Sequence, residues 1–462
     1  MQNGAHRTRG LSIYAAIAFA VGNMVGAGVF VLSGLIVDIA GPSAVFSYLL
    51  CGLLVVFSGL SYAMLASIYP EDGGGYLYAR RILGPYPGFV AGWAMYISVT
   101  IASAFVLLGF GIYANLLTGM NLDPRYGAVA ALVLLTALNI RGIAEAGRIE
   151  VTLVTLKVAI LGVLVLFGLI HIQASDFTPL LPGGVGGMLQ GVAMIFFAYI
   201  GFQVVAMMGG EVKGSAKSVP IATLASIGIV AAIYTGVIVA LLAAHLPSYG
   251  SESVFDAAVV LLGSAGGTIV ALGALFSTLS SANANILGSS RIILEMASEK
   301  QIPVRFARIY NDQPINSILL GAGLALLLIL LGDLSFIVEL TNVTILSSMA
   351  LVNVSALILV RQRALLPPDR SYFIIPFGIL FPLLGAVSCV GMLLTLAPLT
   401  IGLGIAALLA GSALFLIEDT PEGEKIVRRI RLLLHRPVRN ASGEPGPSSL
   451  SGSERVSGDE DR

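Results

Sequence analysis

Long apolar runs separated by short polar segments make up most of this chain, and nearly all of its charge lies in the separators. A helix that crosses a bilayer needs ~20 mostly apolar residues. Twelve runs near that length can be drawn: roughly 11–37, 43–68, 88–117, 125–140, 149–171, 187–210, 219–245, 264–292, 315–332, 335–360, 373–396 and 399–417. Their apolar residues are continuous rather than alternating over ~10 residues, so helices are predicted and not the strands of a membrane barrel. The pattern predicts an all-α polytopic membrane protein with twelve transmembrane helices. Composition sharpens this: 57% of the 462 residues are hydrophobic and 11% charged, against ~25% charged in a soluble domain. Charge this sparse cannot cover a water-facing surface, so the lipid bilayer is the expected solvent.

Charge placement predicts orientation. With the N-terminus in the cytoplasm, only Arg125 of the 25 Lys and Arg falls in an external loop and only Lys157 inside a span. The remainder lie on the cytoplasmic side, as the positive-inside rule requires. The expected location is the cell membrane, multi-pass, with both termini cytoplasmic. Residues 1–10 are the cytoplasmic N-terminus, and the loops 71–86 and 293–314 are long cytoplasmic connections. The basic segment 421–439 reads either as an amphipathic strip on the anionic inner leaflet or as a stop-transfer charge cluster. Residues 440–462 are rich in Gly, Ser, Pro and acidic residues, which predicts a disordered tail. No cleavable signal peptide is expected. Cys51 and Cys389 both fall inside apolar runs and are expected to be packed hydrophobes rather than a disulfide.

Two spans look interrupted. The first contains Gly22-Asn23-Met24-Val25-Gly26-Ala27-Gly28. Each interior Gly costs a helix ~1 kcal/mol. Gly22 and Gly26 have the spacing of close helix packing, but Gly28 adds a third and Asn23 a polar side chain. A helix that unwinds here exposes N–H and C=O groups, tolerated in a membrane only where they line a cavity. Its free N–H groups suit a carboxylate and its free carbonyls a cation, so the site fits a zwitterion. The sixth span carries Phe196-Phe197-Ala198-Tyr199-Ile200-Gly201-Phe202-Gln203. Five spans separate the two interruptions. Five is odd, so consecutive five-helix units have opposite topology, and the interruptions occupy matching positions of inverted repeats. Those units are residues 11–171 and 187–360, with 373–417 as two further helices. The expected substrate-binding residues are Met24, Val25, Gly26, Ala27, Gly28, Phe196, Phe197, Tyr199, Gly201 and Phe202. Gly201 permits the second break. The aromatic residues, with Met95, form either an apolar side-chain pocket or ordinary packing.

At these positions the chain resembles the amino acid–polyamine–organocation (APC) superfamily of permeases. Gly26-Ala27-Gly28-Val29-Phe30 resembles the family's helix-one motif. Pro70-Glu71-Asp72-Gly73-Gly74-Gly75-Tyr76 with Gly92-Trp93 resembles its helix two–three loop. Phe197-Ala198-Tyr199-Ile200-Gly201-Phe202 resembles helix six, and Ser277-Thr278-Leu279-Ser280-Ser281-Ala282-Asn283 with Ser290-Arg291 resembles helix eight. The resemblance covers roughly residues 8–420. It implies a five-plus-five inverted repeat with two extra helices, the fold of the sodium-coupled leucine transporter (the LeuT-like fold). One departure stands out: many family members carry Glu where this chain has Gln203.

Lys157 lies about ten residues into the fifth span. A lysine at that depth costs ~2.5–3.5 kcal/mol to insert. A structural ion pair is one reading, but no acid lies at matching depth, and Glu339 is nearer the external end. The favoured partners are carbonyls of the unwound first helix and the hydroxyls of Ser280 and Ser281. The resemblance implies that Gly22, Val25, Ser277, Ser280 and Ser281 match a sodium site of related transporters, where the ammonium would replace the ion. It further implies sodium independence, through proton-coupled symport or exchange.

The expected function is secondary active import of amino acids by alternating access, with the proton as coupling ion. Exchange of one amino acid for another is the alternative within transport, and a non-transporting amino acid sensor the alternative outside it. An enzyme is not expected: there is no HExxH, no paired mid-span carboxylates, and His6, His171, His245 and His435 sit at ends or in loops. No cofactor, metal or nucleic-acid partner is expected. Without an acid at the site, a neutral, apolar amino acid is favoured over a cationic one.

Overall fold

In hydrocarbon a backbone has only itself to bond, so apolar runs of this length fold as helices. The computed structural model describes residues 12–71, 73–142, 147–207, 212–311, 313–362 and 372–419. In chain order the helices are α1 (Ile13–Met24), α2 (Ala27–Ala40), α3 (Ala44–Ile68), α4 (Gly74–Leu83), α5 (Pro85–Thr118), α6 (Pro124–Ile140), α7 (Gly147–His171) and α8 (Gly184–Tyr199). They continue with α9 (Gln203–Met207), α10 (Ser215–Ala243), α11 (Ser253–Ser298), α12 (Ile315–Leu331), α13 (Leu334–Arg361), α14 (Leu380–Leu393) and α15 (Pro398–Asp419). Among the described residues no strand occurs; isolated bridge positions are Val212 and the pair Tyr310 and Gln313.

Among the described residues, eight helical stretches are long and apolar enough to cross a membrane. The apolar helices Ile13–Met24, Pro124–Ile140, Ile315–Leu331 and Leu380–Leu393 are shorter. The chain is an all-helical polytopic protein. Its outer surface is apolar, with Leu166, Ile170, Leu327, Leu330, Val387 and Leu409 exposed, while Ser33, Ser98, Asn139, Lys157, Thr341 and Asn353 are buried. That arrangement inverts the usual soluble pattern and suits a lipid exterior.

The described residues up to Phe415 form one packed unit, and the second, Leu416–Arg462, is described only over the end of α15. Within the first, α5 is the central column, packing against α6, α11, α12 and α13. α11 runs alongside both α5 and α7, and α1 lies between α7 and α10. Asp123 and Asp333 cap α6 and α13 by accepting from the N–H groups of Arg125 (2.9 Å) and Phe336 (3.1 Å).

Three boundaries differ from the sequence reading. The expected loop 71–86 contains α4, whose Tyr76 and Tyr78 are buried while Arg81 is exposed. It is too short and polar to register as a span. α11 begins eleven residues before the expected 264, across a kink at Gly263 (φ 78°). Residues 373–379, expected inside a span, are not helical: the segment holds Pro376, and Phe377 and Gly378 both have positive φ. The N-terminal segment 1–10 and the segments 421–439 and 440–462 lie outside the described residues. Cys51 and Cys389 are buried free thiols.

Candidate functional site

The first apolar run does not make one helix. α1 stops at Met24, α2 starts at Ala27, and Val25 (φ −75°, ψ 72°) and Gly26 (φ −108°, ψ −147°) lie between them. The Val25 N–H still donates to Val21 O, and the Gly26 N–H to Met24 O, both at 2.8 Å. The last carbonyls of α1 are released from helical bonding, as at any helix end. Side chains of three other helices take them up. Lys157 Nζ of α7 donates to Gly22 O at 2.5 Å. The Tyr234 hydroxyl of α10 donates to Met24 O at 2.6 Å, and Ser277 Oγ of α11 donates to Val25 O at 2.8 Å. All three side chains are buried. Across the break, Gly26 supplies no side-chain cap to α2. The first N–H groups of α2 therefore carry the positive end of its dipole without an intrahelical partner.

The second interruption lies between α8 and α9. Gly201 has φ 135°, a conformation glycine adopts freely and other residues rarely do. Its N–H donates to Gln203 Oε1 at 3.0 Å. The two breaks pack directly on each other. A Cβ at Gly201 would lie 2.9 Å from both Asn23 Nδ2 and Met24 N, and a Cβ at Gly28 would lie 2.6 Å from Ala198 Cβ. The Tyr234 hydroxyl, beside Met24 O, is also 3.0 Å from Ala198 O. A group with one proton thus stands between carbonyls of both breaks.

A cavity of about 610 Å³ opens beside them. Its walls include Asn23, Met24, Gly26, Ala27 and Gly28 of the first break, and Phe197, Ala198, Ile200 and Gln203 of the second. Met95, Val99, Ala102 and Val106 of α5 form an apolar side, and Ser280, Ser281 and Asn283 of α11 a polar one. The cavity reaches the surface at Gly73, Arg291 and Glu295. At that mouth Arg80 Nη2 donates to Glu299 Oε2 at 2.7 Å, Arg80 Nη1 to the Tyr76 hydroxyl at 3.2 Å, and that hydroxyl to Gln301 Oε1 at 3.1 Å. The bond from Arg80 holds the Glu299 carboxyl below its usual range. At the opposite end the Phe105 ring packs on Phe197 (4.6 Å between centroids), and the Tyr113 hydroxyl donates to Phe30 O at 2.8 Å.

The sequence-predicted residues divide. Met24, Gly26, Ala27, Gly28, Phe197, Ser280 and Ser281 line the cavity. Gly22, Val25, Ser277 and Lys157 are joined beside it through hydrogen bonds to the freed carbonyls. Val25, Phe196, Tyr199, Gly201 and Phe202 were expected at the ligand but are not among the lining residues. Helix geometry gives the reason. At ~100° per residue, Phe197 faces the cavity, so Phe196 points aside and Tyr199 points to the opposite face. The Tyr199 hydroxyl donates to Tyr48 O at 3.0 Å, and its ring packs on Tyr234. Phe202 is buried edge-on against Tyr62 with 5.7 Å between ring centroids. Gly201 shapes the break without facing the cavity.

Sequence reasoning missed Tyr234 and the Asn139–Asn283 pair. A lone tyrosine in an otherwise apolar span, and an asparagine in each of two spans, were the available signals. Neither reveals a partner about 36 to 210 positions away in the chain.

Comparison with known proteins accords with this geometry. Residues 11–410 match the amino acid permease family. A methylthioribose transporter of Bacillus subtilis is 25% identical over 85% of this chain and 89% of its own. The branched-chain amino acid permease BcaP of the same organism is 25% identical over 88% of this chain and 92% of its own. The serine/threonine exchanger SteT, also of Bacillus subtilis, is 29% identical over 88% and 96%. These are transporters and permeases, not enzymes. With the family matched across most of its length and two interrupted helices bordering a cavity, this chain belongs to the amino acid permease family, within the APC superfamily.

Proposed function

We propose that this protein carries neutral amino acids across the plasma membrane by alternating access, without sodium. The carrying observation is the buried Lys157 ammonium on the Gly22 carbonyl at 2.5 Å, with Ser277 on the neighbouring Val25 carbonyl. A fixed ammonium supplies the positive charge that a bound cation would otherwise bring to these oxygens. The substrate carboxylate is held by the N–H groups of α2 around Gly26–Gly28, its side chain lies towards Met95, Val99 and Phe197, and Ser280 and Ser281 border the coupling site. Among the described residues no acid lines the cavity except Glu295 at its mouth, which favours a neutral side chain over a cationic one.

In this reading the chain has twelve spans. α1 with α2 counts as one, as does α8 with α9. Residues 11–171 and 187–360 are inverted five-helix repeats of the LeuT-like fold, and 373–417 adds two helices. Both termini are cytoplasmic, so the mouth at Arg291 faces inward. A proton is the coupling ion: protonated, Lys157 ties α7 to the first break; deprotonated, it loses its charge and one donor, and the tie loosens.

Flux into proteoliposomes tests this. Uptake of neutral amino acids in sodium-free buffer, accelerated by an inward proton gradient, is expected. Strict sodium dependence would refute the role of Lys157. The serine/threonine exchanger among the relatives favours a second reading, obligate exchange. In that case internal amino acid accelerates uptake and the proton gradient does little.

A further inference from the structure

Two buried carboxamides border the cavity, and an obligate partner decides which way round each one sits. The oxygen and nitrogen of an amide have nearly the same shape, so their placement must be argued from their neighbours. Asn139 of α6 meets two groups through one atom: the Leu135 carbonyl at 2.8 Å and the Asn283 side chain at 2.8 Å. A backbone carbonyl only accepts, so that atom is the amide nitrogen, Nδ2 of Asn139. An amide nitrogen only donates, so the Asn283 atom facing it is Oδ1. The other end of Asn283 is therefore its NH2. That nitrogen meets no acceptor among the described residues, and it is not among the sealed, partnerless polar atoms of the interior. Asn283 lines the cavity, which is where the NH2 finds its opening.

Gln203 is fixed in the same way. The Gly201 N–H can only donate, so the Gln203 atom 3.0 Å away is Oε1. Its NH2 end points elsewhere, also without an acceptor among the described residues, and Gln203 lines the cavity too. Both amides are locked as donors. A glutamate at 203 would present only acceptors. These donors are also distinct from the carboxylate position. Ser281 abuts Gly26, with its Oγ 2.9 Å from where a Gly26 Cβ would lie. Asn283, two residues on, is turned ~200° around α11 from Ser281, so the two serve different parts of a ligand.

We infer that Asn283 Nδ2 and Gln203 Nε2 select an amino acid whose side chain carries a neutral hydrogen-bond acceptor, a hydroxyl or carboxamide oxygen, over an aliphatic one of the same size. Asn139 is the positioning residue that keeps Asn283 turned as a donor. The inference rests on the reading above that the cavity takes neutral amino acids. A site that bonds a polar atom of its substrate penalises an analogue lacking it, because the site's own buried groups are then left unpaired. An apolar pocket gives no such discrimination.

Threonine and valine differ by a hydroxyl against a methyl at nearly constant shape. Uptake of radiolabelled threonine and of radiolabelled valine is measured in proteoliposomes holding the full-length protein. The wild type is expected to favour threonine by about tenfold or more in kcat/KM. Asn283→Leu and Gln203→Met should each bring that ratio close to one, and Asn139→Leu should lower it without touching the ligand. A wild-type ratio of one, or a preference for valine, overturns the inference and needs no variant to be read. Variants that lower both uptakes by one common factor also overturn it, since a structural role would act that way. If no neutral amino acid enters at all, the transport reading itself has failed, an outcome distinct from an unselective ratio.

Discussion

The two interrupted helices solve one problem in different ways. At the second break the solution is local. Gly201 adopts a φ of 135° that suits glycine, and the side chain of Gln203, two residues on, accepts from its N–H. At the first break the dihedrals are open to other residues, because both Val25 and Gly26 have negative φ. There the freed carbonyls are bonded by Lys157, Tyr234 and Ser277 from three separate helices. A break closed mainly by its own neighbours, with a single bond from another helix at Ala198 O, depends less on what the surrounding helices do. A break held by three other helices changes its bonding when any of them moves. The first is thus suited to sense a shift of α7, α10 or α11, and the second to serve as a fixed wall.

The sharpest way to break this comparison is to fill the space between the two breaks. Gly28→Leu pushes a side chain into Ala198, where even a Cβ would sit 2.6 Å from the alanine Cβ. Substrate binding measured on purified protein should fall by on the order of a hundredfold, the cost of displacing binding groups by about an ångström. Gly201→Ala should do the same through a strained φ and contact with Asn23. Affinity equal to wild type in both would mean the breaks do not form the site.

Next in size is Lys157→Ala. It removes a charged donor from Gly22 O, a contact of about 1.5–3 kcal/mol, so roughly ten- to a hundredfold in uptake rate is expected to be lost. Accumulation driven by a proton gradient should vanish with it. Retention of that drive would assign the proton to another group and leave Lys157 structural.

Tyr234→Phe deletes one hydroxyl and leaves Met24 O without that donor. The Gly26 N–H still donates to Met24 O, so the loss is that of one neutral hydrogen bond, about 1 kcal/mol, and uptake should fall several-fold while the thermal midpoint drops by a few degrees. Since the hydroxyl lies between both breaks, a change in stability with no change in transport would make it a plain packing group. Ser277→Ala should have an effect no larger, about 1 kcal/mol for a neutral hydrogen bond, or several-fold in uptake. Gln203→Leu removes the acceptor of the Gly201 N–H; if it proves milder still for transport rate, that bond is not what holds the second break.

Much of this could be read in the order of residues alone. The helical class, the approximate spans and the two interruptions follow from apolar run length and from glycine clustering, because lipid leaves the backbone no partner but itself. The oddity of Lys157 was also legible, since a lysine among apolar residues needs a partner. The residue pattern alone did not name that partner; the family resemblance pointed to Gly22, Val25 and Ser277, and nothing pointed to Tyr234. Gly22 O, Met24 O and Val25 O become acceptors only when α1 ends, and the donors that meet them come from 135, 210 and 252 positions along the chain. The facing of the aromatic residues was likewise decided by packing, with Phe197 turned to the cavity and Phe202 to Tyr62. Hydrogen-bond direction at Asn283 and Gln203 depends on one obligate neighbour each, Asn139 and the Gly201 N–H. Run length and composition are properties of a segment, so they survive in one dimension. Donor–acceptor pairing between helices is a property of their relative position, and that exists only after they pack.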